Sequence, residues 1–354
     1  MNGTSLLRTA RQAVNGLQFR AYSSASAGSP RHLLSIGDLS PNEFATLVRN
    51  AAKHKEAVKA TQPAMSLSTG LSNKTVAMMF SKRSTRTRVS TEAAVTLMGG
   101  HPMFLGKDDI QLGVNESLHD TSVVISSMVQ CMVARVGPHS DVAGLARSSS
   151  VPVINALSDD YHPLQIIADF LTIHEAFPSQ ASGIDLGLQG LKVAWVGDAN
   201  NVLFDLATAC VMMGVDISVA TPKGYEIPEK MRNVINSASK GVGKPGKLNE
   251  TNVPEEAIKD ADILVTDTWV SMGQEEESKR RMAAFAGYQI TSELAKRGGA
   301  KEGWRFMHCL PRHPEEVSDE VFYSDRSLVF PEAENRLWAA VAALEAFVVN
   351  NGQI

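Results

Sequence analysis

Ser81-Lys82-Arg83-Ser84-Thr85-Arg86-Thr87-Arg88 decides how this chain is read. It follows the apolar run Thr75-Val76-Ala77-Met78-Met79-Phe80, which has the character of a buried strand. It leads into Val89 to Met98, which has helical spacing and ends at Gly99-Gly100. A strand therefore stops and a helix starts within a segment rich in hydroxyls and cations. The first N–H groups of a helix lack intrahelical partners and lie at the positive end of its dipole. Hydroxyl and guanidinium donors added there suit a phosphate-like dianion. The competing reading is a solvated basic turn, the usual fate of a short charge run.

The same alternation continues on both sides of that stretch. Leu39 to Val58 has helical spacing, with Ser40 as N-cap, Pro41 at the first position and Glu43 completing a capping box. Strands are expected at His101–Leu105, Cys131–Val136 and Val151–Ile154, and helices at Glu116–Met128 and His162–Ala176. Pro178 to Gly190, rich in Ser, Gly and Gln, is the expected boundary. Beyond it come strands at Leu191–Val196, Val215–Ala220, Ala261–Thr266 and Trp304–Cys309, with a helix at Val202–Met213. Ser237 to Asn252 is polar and expected to be a surface loop. Glu332 to Val349 closes the chain as a helix striped by Leu337, Val341, Leu344 and Val348. Strands alternating with helices imply α/β folding, with parallel sheets covered on both faces.

Composition narrows the class. With 354 residues, 44% apolar content and a net charge of −4, two ordinary globular domains are expected. The near-neutral balance argues against nucleic acid as a partner, and no apolar run is long enough to span a membrane. Three widely spaced cysteines (Cys131, Cys210, Cys309) cannot form a disulfide framework. The N-terminus differs from the rest. It carries Arg8, Arg11, Arg20 and Arg31 with no acid before Asp38, and Leu6, Leu7, Ala10, Val14 and Leu17 fall on one helical face. That describes a mitochondrial transit peptide over residues 1–30, with cleavage after Tyr22, against the alternative of a disordered cytosolic tail.

In open α/β sheets ligands bind beyond the carboxyl ends of the strands, so the residues there are the candidates. Arg135 closes an apolar strand, where a cation needs an anion or a structural ion pair. His162-Pro163-Leu164-Gln165 opens a helix, with His162 near the N-cap and Gln165 one turn on, both able to donate to an oxygen. A merely capping histidine is the alternative. Gly197-Asp198-Ala199-Asn200-Asn201 lacks the Gly-x-Gly-x-x-Gly spacing of a dinucleotide loop. Asp267-Thr268-Trp269-Val270-Ser271-Met272-Gly273 offers a carboxylate to an ammonium-bearing ligand. Glu275, Glu276 and Glu277 with Lys279, Arg280 and Arg281 read as a solvated helix face. In His308-Cys309-Leu310-Pro311-Arg312, strand neighbours point to opposite faces, which disfavours a catalytic Cys–His pair, and no zinc spacing is present. A noncovalent thiol contact is preferred there, with core packing second.

Together these motifs resemble the aspartate/ornithine carbamoyltransferase family, over roughly His32 to Val349. Ser84-Thr85-Arg86-Thr87, Arg135 and His162-Pro163-Leu164-Gln165 match the motifs shared across that family. Asp267 to Gly273 and His308-Cys309-Leu310-Pro311 match those that mark its ornithine enzymes. The resemblance implies two doubly wound parallel-sheet domains. Residues 31–177 would bind carbamoyl phosphate, joined by a C-terminal helix (332–350) that returns to them, and residues 178–331 would bind L-ornithine. It further implies that Ser84, Thr85, Arg86, Thr87, Arg135, His162, Gln165, Cys309, Leu310 and Arg336 hold carbamoyl phosphate. Asn201, Asp267, Ser271 and Met272 would hold ornithine, with Cys309, Arg135, His162 and Asp267 catalytic. Asp267 would take the α-ammonium, Asn201 the α-carboxylate, and Asp267 with Cys309 would orient the δ-amine. Citrulline and phosphate would be the products, a step of arginine biosynthesis, with no metal or organic cofactor, in a homotrimer of the mitochondrial matrix. The rivals are a carbamoyltransferase for another amine or for aspartate, a nicotinamide oxidoreductase, and a non-catalytic regulatory relative.

Overall fold

The computed structural model describes residues 29–60, 65–110, 116–178, 186–270 and 278–354. The amphipathic N-terminal segment, Ser271, Met272 and the Glu275–Glu277 run fall outside them. In the first half the elements are α1 (Pro41–Lys59), α2 (Met65–Thr69), β1 (Thr75–Phe80), α3 (Thr85–Leu97) and β2 (His101–Gly106). Then follow α4 (Leu118–Ser126), β3 (Cys131–Arg135), α5 (His139–Ser148), β4 (Val153–Leu157) and α6 (Pro163–Ala176). The second half begins with β5 (Lys192–Val196), α7 (Asn201–Met213), β6 (Asp216–Ala220), α8 (Glu229–Ala238) and β7 (Leu248–Thr251). It ends with α9 (Pro254–Ile258), β8 (Ile263–Val265), α10 (Ser278–Ala284), α11 (Ser292–Gly298), β9 (Arg305–Met307) and α12 (Asp319–Phe322). The last helix is α13 (Val329–Leu344), extended by a π-helical turn at Glu345–Val349.

Both sheets are wholly parallel, ordered β2-β1-β3-β4 and β7-β6-β5-β8-β9. In the first, chain progression reverses between β1 and β3, and in the second between β5 and β8. Those switch points leave a crevice beyond the carboxyl ends of the strands, the place where open α/β sheets bind ligands. The central strands are buried on both faces, as covered parallel strands must be: β1 and β3 are apolar almost throughout. Helix α13 leaves the second half and packs against α1, α3 and α6 of the first. That is why so few of its residues are polar.

Several expectations are corrected. The helix after β1 starts at Thr85, not Val89, because Ser84 caps it by accepting from Thr87 N at 3.3 Å. The basic turn is thus the helix's own first turn. The expected loop 237–252 contains strand β7, which pairs with β6. It is an edge strand with Asn249 and Glu250 exposed, so no apolar run announces it. The fourth strand lies at Val153–Leu157 rather than Val151–Ile154. Helices α5, α8, α9 and α11 add to those expected from the sequence pattern. Arg31, counted with the N-terminal arginines, belongs to the folded body: it pairs with Glu43 at 2.5 Å and lies over Phe347.

Candidate active site

Cations from the first half and a carboxylate from the second line one cavity of about 1030 Å³. The loop after β1 supplies Ser84, Thr85, Arg86 and Thr87, β3 supplies Arg135, and the start of α6 supplies His162 and Gln165. The second half gives Asn200, Asn201, Asp267, Cys309 and Leu310, and α13 gives Arg336. Every expected site residue lies on this cavity except Ser271 and Met272, which lie outside the described residues.

The cationic wall begins with the free N–H groups of α3 and the guanidinium of Arg86, whose Nη2 donates to Leu310 O at 2.7 Å. Leu310 has a φ of +63°, a left-handed conformation that a branched side chain adopts only when its surroundings enforce it. Arg135 and Arg336 are 8% and 3% exposed. Burial, and after it the neighbouring Arg336 and Arg86, lowers Arg135 to about 10. Burial lowers Arg336 to about 10 as well, against the opposing pull of nearby acids. Both remain charged at neutral pH. Among the described residues no carboxylate pairs with Arg135, and the Nε atoms of Arg135 and Arg336 are buried without a protein partner. A structural ion pair for Arg135 is thereby excluded there, and the crowded guanidiniums fit a dianion.

His162 occupies the N-cap of α6, but its ring makes no capping bond and its Nδ1 is buried without a partner. The capping role is therefore not its own. Its backbone N–H donates at 2.9 Å to Oδ2 of Asp205 on α7, whose other oxygen accepts from Ser35 Oγ and Ile36 N. Burial, followed by the charges of Arg336, Arg135 and Arg86, holds the imidazole well below its usual range. It is neutral and can donate one N–H to an oxygen. Gln165 differs from expectation. Its amide nitrogen donates to Asp169 at 2.7 Å and Glu332 at 3.1 Å, while its Oε1 accepts from Arg336 at 2.5 Å. Both amide protons are committed, so Gln165 offers the cavity an acceptor rather than a donor.

The opposite wall grows from the β5–α7 turn. Gly197 has a φ of +153°, and a Cβ there would stand 2.9 Å from Thr266 Oγ1. Asn200 caps α7 and donates to Asp267 Oδ2 at 2.8 Å. Asn201 donates to Ser158 O of the first half at 2.6 Å. Cys309 Sγ donates to Asp267 Oδ1 at 3.0 Å. Burial, then the charges of Asp267 and Glu332, pushes that thiol well above its ordinary value. It remains protonated, which closes the nucleophile reading. His308, its neighbour, faces away and meets the buried Glu316 at 2.9 Å. Arg281 is not solvated as expected: it is buried against Asp198 at 2.7 Å and Trp269 O at 2.8 Å. Among the described residues no cluster suits a metal ion.

Asp169, Asp205, Glu332 and Asn200 join the site without having been singled out by sequence pattern. A signal exists for two of them: Asp205 is the lone acid of an otherwise apolar helix, and Asp169 interrupts the apolar middle of α6, where a carboxyl needs a purpose.

Comparison with known proteins gives one answer. The carbamoyl-P binding domain of the aspartate/ornithine carbamoyltransferases matches residues 31–175, and their Asp/Orn binding domain matches 189–347. A mitochondrial ornithine carbamoyltransferase of Emericella nidulans is 73% identical, the match covering 95% of both chains. The crystal structure of a mitochondrial ornithine carbamoyltransferase from Coccidioides immitis, 70% identical, superposes with a TM-score of 0.87 over 92% of this chain and 99% of that one. The ornithine carbamoyltransferase of Pyrococcus furiosus, 41% identical, superposes with 0.83 over 91% and 98%.

Proposed function

The chain belongs to the aspartate/ornithine carbamoyltransferase family, and on that premise we propose how its cavity works. Its activity is carbamoyl transfer from carbamoyl phosphate to the δ-amine of L-ornithine, giving L-citrulline and inorganic phosphate. Its compartment is the mitochondrion. In our reading residues 1–30 address it to the matrix. Residues 31–177 with the closing helix form the carbamoyl-phosphate domain, and residues 178–331 the ornithine domain.

One observation carries the assignment of roles: the guanidiniums of Arg86, Arg135 and Arg336 share a wall with a neutral His162, and Asp267 with Cys309 stands opposite. Ser84, Thr85, Arg86 and Thr87 receive the phosphate at the start of α3. Arg135 and His162 donate to the carbamoyl oxygen, and Arg336 bridges to phosphate. Leu310 and Gln165 turn carbonyl oxygens toward the carbamoyl N–H groups. Asp267 takes the α-ammonium of ornithine and Asn201 its carboxylate, with Ser271 and Met272 completing that side. The reaction starts from a neutral δ-amine, since a lysine-like ammonium near pKa 10 has no lone pair to offer. Its nitrogen forms a bond to the carbamoyl carbon, and the carbonyl electrons move onto oxygen, facing Arg135 and His162. As the oxyanion collapses, the bond to the phosphate oxygen breaks and phosphate leaves with the electron pair. The surplus proton of the former amine passes to phosphate.

We read the assembly as a homotrimer, supported by Val89, Val123, Val124 and Met128, which stay exposed on or beside α3 and α4. The test is citrulline formation by residues 23–354 with ornithine, beside putrescine and aspartate. Turnover with ornithine alone is expected. Turnover only with another amine would retain the cationic wall and remove the Asp267 assignment.

A further inference from the structure

The interface between α6 and α13 is apolar except for one file of polar groups. Gln165, Asp169, Thr172 and Glu175 on α6 face Glu332, Asn335 and Arg336 on α13. The outer end of this file is a tether, where Asn335 donates to Thr172 at 2.9 Å and to Glu175 at 3.0 Å, and Lys55 joins them. The inner end reaches the cavity through Gln165 and Arg336, and behind them stand two carboxyls that the reaction above does not use.

Asp169 and Glu332 are each 2% exposed. Asp169 Oδ1 and Glu332 Oε1 accept the two N–H bonds of Gln165, at 2.7 and 3.1 Å. Glu332 Oε2 accepts from the backbone N–H of His308 at 2.9 Å, one residue before Cys309. On the far side of the same amide, Arg336 Nη1 donates to Gln165 Oε1 and Nη2 to Thr87 Oγ1 at 3.2 Å. Acids on one side and a guanidinium on the other permit a single orientation of the amide. Reversing it would set N–H groups against the guanidinium and a carbonyl against the carboxyls.

We propose that Asp169 and Glu332 are positioning residues for carbamoyl transfer: they orient Gln165 as an acceptor for the carbamoyl N–H and tie the strand end bearing Cys309 to the closing helix. The inference rests on the reaction assigned above. The two carboxyls converge on the single amide nitrogen of Gln165. Burial raises Asp169 to about 7, and burial with the neighbouring Asp169 charge raises Glu332 well above its ordinary value. Two buried carboxyls gathered on one nitrogen oppose each other's ionisation, so the pair carries less than its full charge at neutral pH. Their reduced charge behind Gln165 leaves the guanidiniums a net cationic wall for phosphate. Without the acids the amide N–H groups lose both acceptors and only the guanidinium opposes its turning, and a turned amide would set N–H against N–H at the carbamoyl group. Inorganic phosphate has no carbamoyl group and does not use that contact.

The experiment compares wild type with Asp169→Ala, Asp169→Asn, Glu332→Ala and Glu332→Gln, measuring kcat and the affinities for carbamoyl phosphate and for inorganic phosphate. For the alanine variants kcat is expected to fall about 100-fold and carbamoyl phosphate affinity about tenfold, with phosphate affinity within about twofold of wild type. Asp169→Asn keeps an acceptor for Gln165 and a donor for Glu332, and is expected to recover at least about tenfold of the kcat lost by Asp169→Ala. Unchanged carbamoyl phosphate affinity in a folded alanine variant would overturn the proposal. So would equal losses for both ligands, or Asp169→Asn failing as badly as Asp169→Ala. If the alanine variants do not fold, the shape-conserving double variant D169N/E332Q decides: selective loss of carbamoyl phosphate supports the proposal and wild-type affinities end it. The binding arm needs no turnover. A wild type forming no citrulline would therefore count against the assigned reaction, while the contrast between the two ligands would still decide the role of the acids.

Discussion

Cys309 keeps its proton because burial and the Asp267 carboxylate both oppose the thiolate. Its use is then as a donor, and Cys309→Ser should retain more kcat than Cys309→Ala, which we expect to fall about 100-fold. Alkylation of Cys309 at pH 8 should also be slower than that of a free thiol, and fast labelling would contradict the protonated state. His162 is neutral for the opposite electrostatic reason, burial beside three guanidiniums. It contributes no acid limb, so the ornithine δ-ammonium governs the pH dependence. Log kcat/KM is expected to climb by about one unit per pH unit from about pH 6 to 9. His162→Gln should lower that curve without changing its shape, and a changed shape would assign the titration to His162. Residues at strand ends are legible in the sequence because strand periodicity and the carboxyl-end rule point at them. Glu332 is not, because its partner Gln165 lies on an element far away along the chain, and the acid of α7 signals a purpose without naming its partners.

Asp205 and Gly197 act through elements rather than through direct chemistry, and Ser84 acts through its helix as well as on the ligand. Ser84→Ala removes the α3 cap, with an expected stability loss of about 1 kcal/mol and weaker phosphate binding, checked by urea unfolding and phosphate titration. Asp205 joins α7 to the α6 N-cap and to the turn at Ser35 and Ile36. Burial raises it to about 7, so between the ordinary value near 3.8 and 7 the folded chain holds a proton that the unfolded chain has released. Its contribution to stability is full below about 4 and is lost as pH rises through 7. The stability advantage of wild type over Asp205→Asn should therefore narrow from about pH 5 to pH 8. The variant should also lose kcat, because His162 N–H loses its acceptor. Gly197→Ala would bring a methyl 3.1 Å from Trp269 Nε1, and a raised ornithine KM is expected. At this scale the sequence is clear wherever an element is apolar and capped, as in α1. It is silent where burial is partial, as in β7, whose four residues show no apolar face.

Alternating strands and helices suffice to read two parallel sheets, because parallel strands covered on both faces leave apolar runs in the sequence. The order of strands within each sheet is not readable that way, since it depends on crossovers that local pattern does not encode. The two switch points that face the cavity emerge only from the structure. Assembly belongs to this scale as well. Placing glutamate at Val124 and Met128 on the exposed apolar surface should yield monomers by sedimentation, with folded circular dichroism and reduced activity. A trimer surviving those changes would move the interface elsewhere.

Helix α13 covers α1, α3 and α6 but is synthesised after all of them. During translation the earliest sheet must wait, one flank open, until the ribosome has passed residue 344. A nascent chain stalled before Val329 would present that flank to chaperones and would lack both Arg336 and Glu332. Such a product would keep Arg86, Arg135 and His162 but only part of the cationic wall. The order of synthesis thus completes the site last, with the helix that closes the first half.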